Sequence, residues 1–215
     1  MYGYVGGITW VKSESVGESV SEKSGIIVQP FGNNCVPLQS KSKRWKTMPD
    51  NDITVELFTT VKTYEGGGRV LIMNGVDKSK PDYKAILTLA TLFAKDGSIA
   101  RILTSCHFKS EEYKLIFSPL TGTKFERKCP DLLIDDKFYE YEGFERPWNR
   151  RKIKNMLAHG LLQANHIIID NSKGAADRII RKAIMARLRI GTDIEEVWLY
   201  EKGRKRLFYK NGIFR

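Results

Sequence analysis

The chain has 215 residues, enough for one sizeable core or two small ones, and its 41% hydrophobic content is ordinary for a globular protein. Its net charge is +11, and the whole excess lies in the last third: residues 146–215 hold 17 basic and 6 acidic side chains, whereas residues 1–145 hold 19 of each. This asymmetry favours a polyanionic partner, nucleic acid before membrane, because no apolar run reaches the length of a membrane span.

The cysteines and the first residues indicate where the protein acts. Cys35, Cys106 and Cys129 are odd in number and lack paired metal-ligand spacing, which argues against a disulfide framework or a zinc site. They indicate reduced thiols and a cytoplasmic site of action. Met1–Tyr4 does not begin a basic region followed by an apolar one, so we expect a soluble chain without a signal peptide of its own.

Residues 1–80 are predicted to form a β-rich extension. The first fifty are rich in Gly, Ser and Lys, and Trp45 lies in the basic cluster Lys41–Lys46. That tryptophan either stacks on a base or anchors the fold. The extension would serve to read the substrate, to assist delivery or to form an oligomer interface.

Two strands are predicted at the end of this extension. Asp52–Thr63 alternates weakly, and Arg69–Met73 is strongly apolar. Gly66–Gly68 between them predict a loop rather than a phosphate-binding site, because no Gly-Lys-Ser/Thr follows.

The hydrophobic period changes at Lys80-Pro81-Asp82. Apolar residues then recur at helical spacing as far as Asp96-Gly97, so the sequence predicts a helix between these two signals. Ile99–Leu103 is predicted to be a buried strand, and Glu112–Phe117 a second one.

A β-hairpin is predicted within Lys128–Gly143. Pro130-Asp131 opens an apolar run, Asp135-Asp136 forms a tight turn, and a second extended run follows over Lys137–Glu142.

This hairpin carries the candidate catalytic residues. Alternation in its second strand places Glu140 and Glu142 on one face, roughly 7 Å apart by the pleat repeat. Like charges at that spacing repel, and a hard divalent cation such as Mg²⁺ (or Mn²⁺) would neutralise them, with Asp131 completing the ligand set. The alternative is that both glutamates line the exposed face of an ordinary hairpin.

A helix is predicted from about Asn149 to Ala164, followed by a central strand over His166–Asp170. Along one edge of the helix, polar groups recur every three or four residues and could contact phosphate, water or a carboxylate: Lys152, Asn155, His159 and Gln163. The alternative is an ordinary polar border.

The last third is predicted to contain a basic helix and a hairpin. Ala175 to about Leu188 has an apolar face, and its other positions include three cations suited to phosphate contacts: Arg178, Arg181 and Lys182. A solvated face is the commoner explanation for such a pattern. Glu196–Tyr200 and Arg206–Tyr209 predict a hairpin with a basic tip.

The central motif resembles a known family. Pro130-Asp131 followed by Glu140-Tyr141-Glu142, with a helix before it and a helix and strand after it, resembles the core of the PD-(D/E)xK nuclease superfamily. The order that ends in Gln163–Asp170 is similar to the C-terminal nuclease domains of contact-dependent inhibition toxins and other polymorphic toxins, many of which cut transfer RNA. The resemblance covers about residues 82–210. It implies an α/β fold over residues 81–215, with a mixed central sheet flanked by helices as in restriction endonucleases.

The resemblance also implies a metal-dependent endonuclease acting on RNA, such as tRNA, or on DNA. Asp131, Glu140 and Glu142 would hold Mg²⁺ or Mn²⁺. Because the family's usual lysine falls at Glu142, either Glu142 as a general base or Lys152 from the following helix must take over its role. A toxin of this kind would be delivered from another cell and would be bound by an immunity protein. Two alternatives stay open: an inactive nucleic-acid-binding module with the same fold, and a structural or interaction protein with an acidic partner.

Overall fold

The computed structural model describes residues 57–143 and 147–215, which form a mixed α/β fold around one nine-stranded sheet. The strands follow chain order across the sheet. They are β1 (Phe58–Thr63), β2 (Arg69–Met73), β3 (Ile99–Ile102), β4 (Leu132–Ile134), β5 (Lys137–Glu142), β6 (His166–Asp170), β7 (Glu196–Glu201), β8 (Arg204–Lys210) and β9 (Ile213–Phe214). Three neighbouring pairs run parallel, β2 with β3, β5 with β6 and β6 with β7, and the other five pairs are antiparallel.

Helices flank this sheet, as predicted. In the described part of the chain they are α1 (Tyr83–Lys95), α2 (Glu111–Ile116), α3 (Arg150–Gly160) and α4 (Asp177–Arg189), with a short 3₁₀ helix at Ser118–Leu120. The predicted mixed sheet flanked by helices is therefore confirmed.

Helix α1 covers one face of the sheet. It begins directly after Pro81-Asp82 and ends at Lys95, as the sequence predicted. Ile86, Leu89 and Phe93 recur at helical spacing and pack against the strands in one buried cluster. Complete burial of a side chain of this size stabilises the fold by about 1.5–3 kcal/mol, so this contact is a major part of the core.

Helices α3 and α4 lie on the opposite face. Leu157 of α3 and Ile184 of α4 are fully buried in a cluster with Ile167 and Ile169 of β6. Ile168, between them in sequence, belongs to the cluster under α1. Strand β6 is therefore buried on both faces, which explains its unbroken apolar run and confirms the predicted central strand.

The predicted strand at Glu112–Phe117 is wrong, because the segment forms helix α2. The Ser110 side chain accepts a hydrogen bond from the Tyr113 N–H at 3.2 Å and caps the helix. Glu111 and Glu112 then occupy the first turn, where the helix dipole favours negative charge. The side chains that are buried, Tyr113 and Ile116, lie three residues apart as in a helix, and Leu115 between them is exposed.

Other boundaries shift by a few residues. Helix α3 ends at Gly160 rather than Ala164, and residues 161–163 form a turn. Helix α4 begins at Asp177, two residues after the predicted start. The terminal hairpin of β7 and β8 forms as predicted, with Lys202 and Gly203 at its tip, and the unpredicted β9 extends it.

Two strands that precede residue 80 belong to the same sheet. Strand β1 covers the second half of the strand predicted at Asp52–Thr63, and β2 has the predicted bounds. Gly68 is required between them because a Cβ there would collide with the Ala94 carbonyl. The domain boundary at residue 80 stays a prediction, and the predictions for residues 1–56, including Trp45, concern residues outside the described part of the chain.

Candidate metal centre

Hydrogen bonds from the backbone hold Asp131 in place beside the hairpin of β4 and β5. Asp135 adopts a φ of 54° in the tight turn, a conformation that aspartate tolerates better than most residues. The pairing that follows lets the Tyr141 N–H donate to Asp131 Oδ2 at 3.0 Å. On the other side, the Asp131 carbonyl accepts a hydrogen bond from the Leu103 N–H at 2.8 Å. The Asp131 carboxylate is therefore fixed at the junction of β3, β4 and β5.

Glu140 and Glu142 occupy alternate positions of β5, so their side chains share a face of the sheet. Glu140 is only 8% exposed, and its Oε2 has no hydrogen-bond partner among the described residues. Glu142 is half-buried against α3 at Gly160, where a Cβ would lie 3.0 Å from Glu142 Cγ and 3.2 Å from Oε1. A glycine at this position lets the helix approach the carboxylate closely.

Helix α3 adds a third donor to this pair. His159 Nδ1 lies 2.8 Å from Glu142 Oε1, and the histidine side chain is 68% exposed. One ligand atom from each of Glu140, Glu142 and His159 lies within 4.8 Å of the others. We call these three residues the Glu-Glu-His cluster. Two carboxylates and an imidazole this close together could hold one divalent cation.

The carboxyl groups are held in an environment that opposes their ionisation. Burial, followed by the charges of Asp131 and Glu142, raises the pKa of Glu140 to about 9. Burial also raises the pKa of Asp131 to about 6, with smaller contributions from Asp82 and Glu142. Burial raises the pKa of Glu142 too, while the hydrogen bond with His159 opposes that shift. A cation among these groups would favour their ionised forms.

Glu196 shows what a structural buried carboxylate looks like in this fold. It is 3% exposed, and it accepts hydrogen bonds from Lys137 Nζ at 2.7 Å, the Tyr139 hydroxyl at 2.8 Å and Trp198 Nε1 at 3.2 Å. Burial alone would raise the pKa of Glu196, but these bonds and one from Lys210 lower it to about 2. Glu140 is buried to a similar degree, but its Oε2 has no partner among the described residues, which sets it apart as a ligand candidate.

Glu196 also lines a cleft of about 390 Å³, together with Phe93, Trp198 and Lys205. The cleft contains none of Asp131, Glu140, Glu142 and His159. Lys205 Nζ lies 4.3 Å from the centre of the Phe93 ring and 4.8 Å from that of Trp198. The aromatic rings therefore already contact a cation of the protein.

Lys152, the lysine that the sequence predicted for the site, makes its hydrogen bond elsewhere. Lys152 Nζ donates to the Pro147 carbonyl at 3.1 Å. Within residues 57–143 and 147–215, no lysine forms a salt bridge with Asp131, Glu140 or Glu142. Among the described residues, Lys80 has a charge that acts on Asp131, where it partly opposes the rise in the pKa. Lys80 precedes α1, and the sequence marked it only as part of a helix start.

The predicted nucleic-acid contacts fall into two groups. His159 lies in the Glu-Glu-His cluster, Asn155 is exposed on α3, and Gln163 is half-buried in the turn after this helix. The three basic residues of α4 are exposed, as predicted: Arg178, Arg181 and Lys182. Their role in binding stays a prediction.

Asp82 is a charged neighbour that the sequence did not assign to the site. It is the N-cap residue of α1, yet its side chain makes no capping hydrogen bond. Its charge contributes to raising the pKa values of both Asp131 and Glu140. An acidic residue at a helix start is explained locally by the helix dipole, so no separate signal marks Asp82 as part of the site.

Comparison with protein-family models, with curated proteins and with solved structures finds no match to this chain. Among the described residues, the helices are too short or too polar to cross a bilayer.

Proposed function

We propose that the protein is a metal-dependent endonuclease with a PD-(D/E)xK-type core, which hydrolyses phosphodiester bonds of nucleic acid. The observation that carries this proposal is Glu140, a buried carboxyl whose Oε2 has no partner among the described residues and which lies beside two further carboxyls. A buried carboxylate without a partner costs several kcal/mol unless a cation or a proton neutralises it. A catalytic cation bound beside Glu140 would neutralise this carboxylate.

The donors present fit a divalent cation. In an octahedral site with metal–oxygen distances of about 2.1 Å, adjacent donors are about 3.0 Å apart and opposite donors about 4.2 Å. The Glu-Glu-His cluster has its donor atoms within 4.8 Å of one another, so they lie near enough to share one ion after side-chain adjustment. Glu140 and Glu142 would hold Mg²⁺ or Mn²⁺, with Asp131 beside them.

A cation held there would polarise the scissile phosphate and lower the pKa of the attacking water. The protein's own groups would position the water and accept its proton. Since Lys152 donates to a backbone carbonyl, we assign the general base to Glu142, through the carboxylate oxygen that does not bind the cation. Lys80, whose charge acts on Asp131, is the candidate for offsetting charge on the phosphate.

The basic last third would supply affinity for the phosphate backbone. Residues 146–215 carry 17 basic and 6 acidic side chains, and the cations of α4 are exposed. Contacts of this kind are independent of base sequence and weaken steeply with salt. The resemblance to toxin nucleases extends the proposal to tRNA as a substrate and to an acidic immunity protein as a partner.

Cleavage assays with matched variants test the proposal. The parent protein is incubated with tRNA, supercoiled plasmid and single-stranded DNA, in Mg²⁺, in Mn²⁺ and in EDTA. We expect metal-dependent cleavage of at least one substrate, and a loss of about 100-fold or more in Asp131→Asn and Glu140→Gln. Glu111→Gln, which changes an exposed acid of α2, is the control and should cleave like the parent. Equal cleavage in EDTA, or by Glu140→Gln, would overturn the proposal.

A second candidate is a nucleic-acid-binding module without catalytic activity. The observation in its favour is that Lys152, proposed from sequence to replace the family's lysine, donates instead to Pro147. The same assays separate the two candidates, because a binding module retards every nucleic acid in gels and leaves it intact whatever the metal.

A further inference from the structure

We propose that His159 is a metal ligand and that it makes the site prefer Mn²⁺ to Mg²⁺. The inference rests on the cation site of the proposed function and extends it to the identity of the ion. It assigns to His159 a role different from the nucleic-acid contact that the sequence predicted.

The geometry brings the imidazole into the site rather than beside it. Nδ1 lies 2.8 Å from Glu142 Oε1, close to the separation of about 3.0 Å between adjacent donors around one ion. Gly160, the next residue of α3, has no side chain to keep the helix away from Glu142. The main chain of α3 can therefore present Nδ1 to the same point that the two glutamates face.

Glu140 supplies an independent indication that this point accepts a ligand. It is 92% buried, being 8% exposed, and its Oε2 has no hydrogen-bond partner among the described residues. The same side chain provides one of the donors that lie within 4.8 Å of His159. An unsatisfied buried oxygen and a neighbouring imidazole together favour a cation at this point, because carboxylate oxygens and a neutral imidazole nitrogen all offer lone pairs to a metal ion.

The donor set determines which cation is favoured. Mg²⁺ selects oxygen ligands almost exclusively and keeps most of its waters, whereas imidazole nitrogen suits first-row transition ions. Mn²⁺ accepts both carboxylate and imidazole. Replacing the nitrogen by an oxygen should therefore reduce affinity for Mn²⁺ and leave that for Mg²⁺ nearly unchanged.

His159→Asn makes this exchange with little change of shape, because the asparagine amide can place its oxygen near the position of Nδ1. The side chain is 68% exposed, so the substitution should leave the core intact, which thermal unfolding would verify. The control is His107→Ala, which removes an exposed histidine whose ring centre lies 4.8 Å from that of Phe108. Mn²⁺ binding is followed by the electron paramagnetic resonance signal of free Mn²⁺, and Mg²⁺ binding by competition, both without nucleic acid.

We expect the parent and His107→Ala to bind Mn²⁺ more tightly than Mg²⁺. In His159→Asn, Mn²⁺ affinity should fall by at least about tenfold, because replacing even a residue that only supports a metal ligand reduces affinity by that factor. Mg²⁺ affinity should stay within about twofold. An unchanged ratio of the two affinities in His159→Asn, or no Mn²⁺ binding by the parent, would overturn the inference. If binding follows this expectation but no nucleic acid is cut, the proposed function fails and the inference stands. If Mg²⁺ supports cleavage and the ratio is unchanged, the inference fails and the function stands.

Discussion

Replacing Glu140 with glutamine should stabilise the cation-free protein, and the gain should increase with pH. Glutamine keeps the shape of the side chain but cannot ionise. In the parent, burial and the neighbouring carboxyls raise the pKa of Glu140 to about 9, from an ordinary value of 4.5. Between these two values the folded state retains a proton that the unfolded state has lost.

The magnitude follows from this difference in bound protons. Because the folded state binds one proton more, the free energy of unfolding of the parent falls by about 1.4 kcal/mol for each pH unit between pH 4.5 and 9. The contribution is fully present below pH 4.5 and is lost as the pH rises through 9. The advantage of Glu140→Gln over the parent should therefore grow by about 2.7 kcal/mol between pH 6 and pH 8.

Urea unfolding in EDTA at pH 6, 7 and 8 measures this difference, with Glu111→Gln as a control for removal of an exposed carboxylate. A divalent cation should reverse the order of stability. At 100 times its dissociation constant it would stabilise the parent by about 2.7 kcal/mol, and the variant much less. If the parent and Glu140→Gln show the same pH dependence in EDTA, the carboxyl is ionised without a cation and our reasoning about the site is wrong.

Three further predictions concern other parts of the fold. Glu196→Gln should destabilise the protein by about 3 kcal/mol at pH 7, because the pKa of Glu196 is lowered to about 2; urea unfolding should show this loss shrinking as the pH falls from 4.5 towards 2. Gly160→Ala should push Glu142 away from α3 and weaken Mn²⁺ binding while far-ultraviolet circular dichroism stays unchanged. Removing three cations of α4 should lower the slope of log affinity against log salt for duplex DNA by up to about 2.7, since each phosphate contact contributes about 0.9. The α4 variant is Arg178→Ala with Arg181→Ala and Lys182→Ala, and its charge-matched control, expected to keep the slope, is Lys62→Ala with Lys78→Ala and Lys109→Ala.

The hairpin could be predicted because its determinants are local. Pro130-Asp131 and the Asp135-Asp136 turn fix its ends, and alternation in β5 determines which side chains share a face. The proximity of Glu140 and Glu142 follows from these features alone. Helix α2 shows where a short segment is ambiguous: its apolar residues were compatible with a strand, and the cap at Ser110 favours the helix.

Contacts between distant segments could not be predicted in the same way. The polar edge of α3 was visible in sequence, but not which of its residues meets β5. The structure selects His159, two turns of helix beyond Lys152, because Gly160 allows a close approach there. Asp82 and Lys80 influence Asp131 from about 50 residues away, and no periodicity within either segment specifies that contact.

Glu140 and Glu196 together show how the fold accommodates an unfavourable site. Relative to its ordinary value of 4.5, the pKa of Glu140 is raised and that of Glu196 is lowered. At pH 7, the first shift destabilises the cation-free fold by about 3 kcal/mol, and the second stabilises it by about 3 kcal/mol. The lysines and aromatic groups around Glu196 thus offset the cost of an unsatisfied carboxyl at Glu140. Because the hydrogen bonds that stabilise Glu196 do not involve Glu140, the carboxyl of Glu140 can stay unsatisfied, as the proposed cation site requires, without making the whole fold unstable.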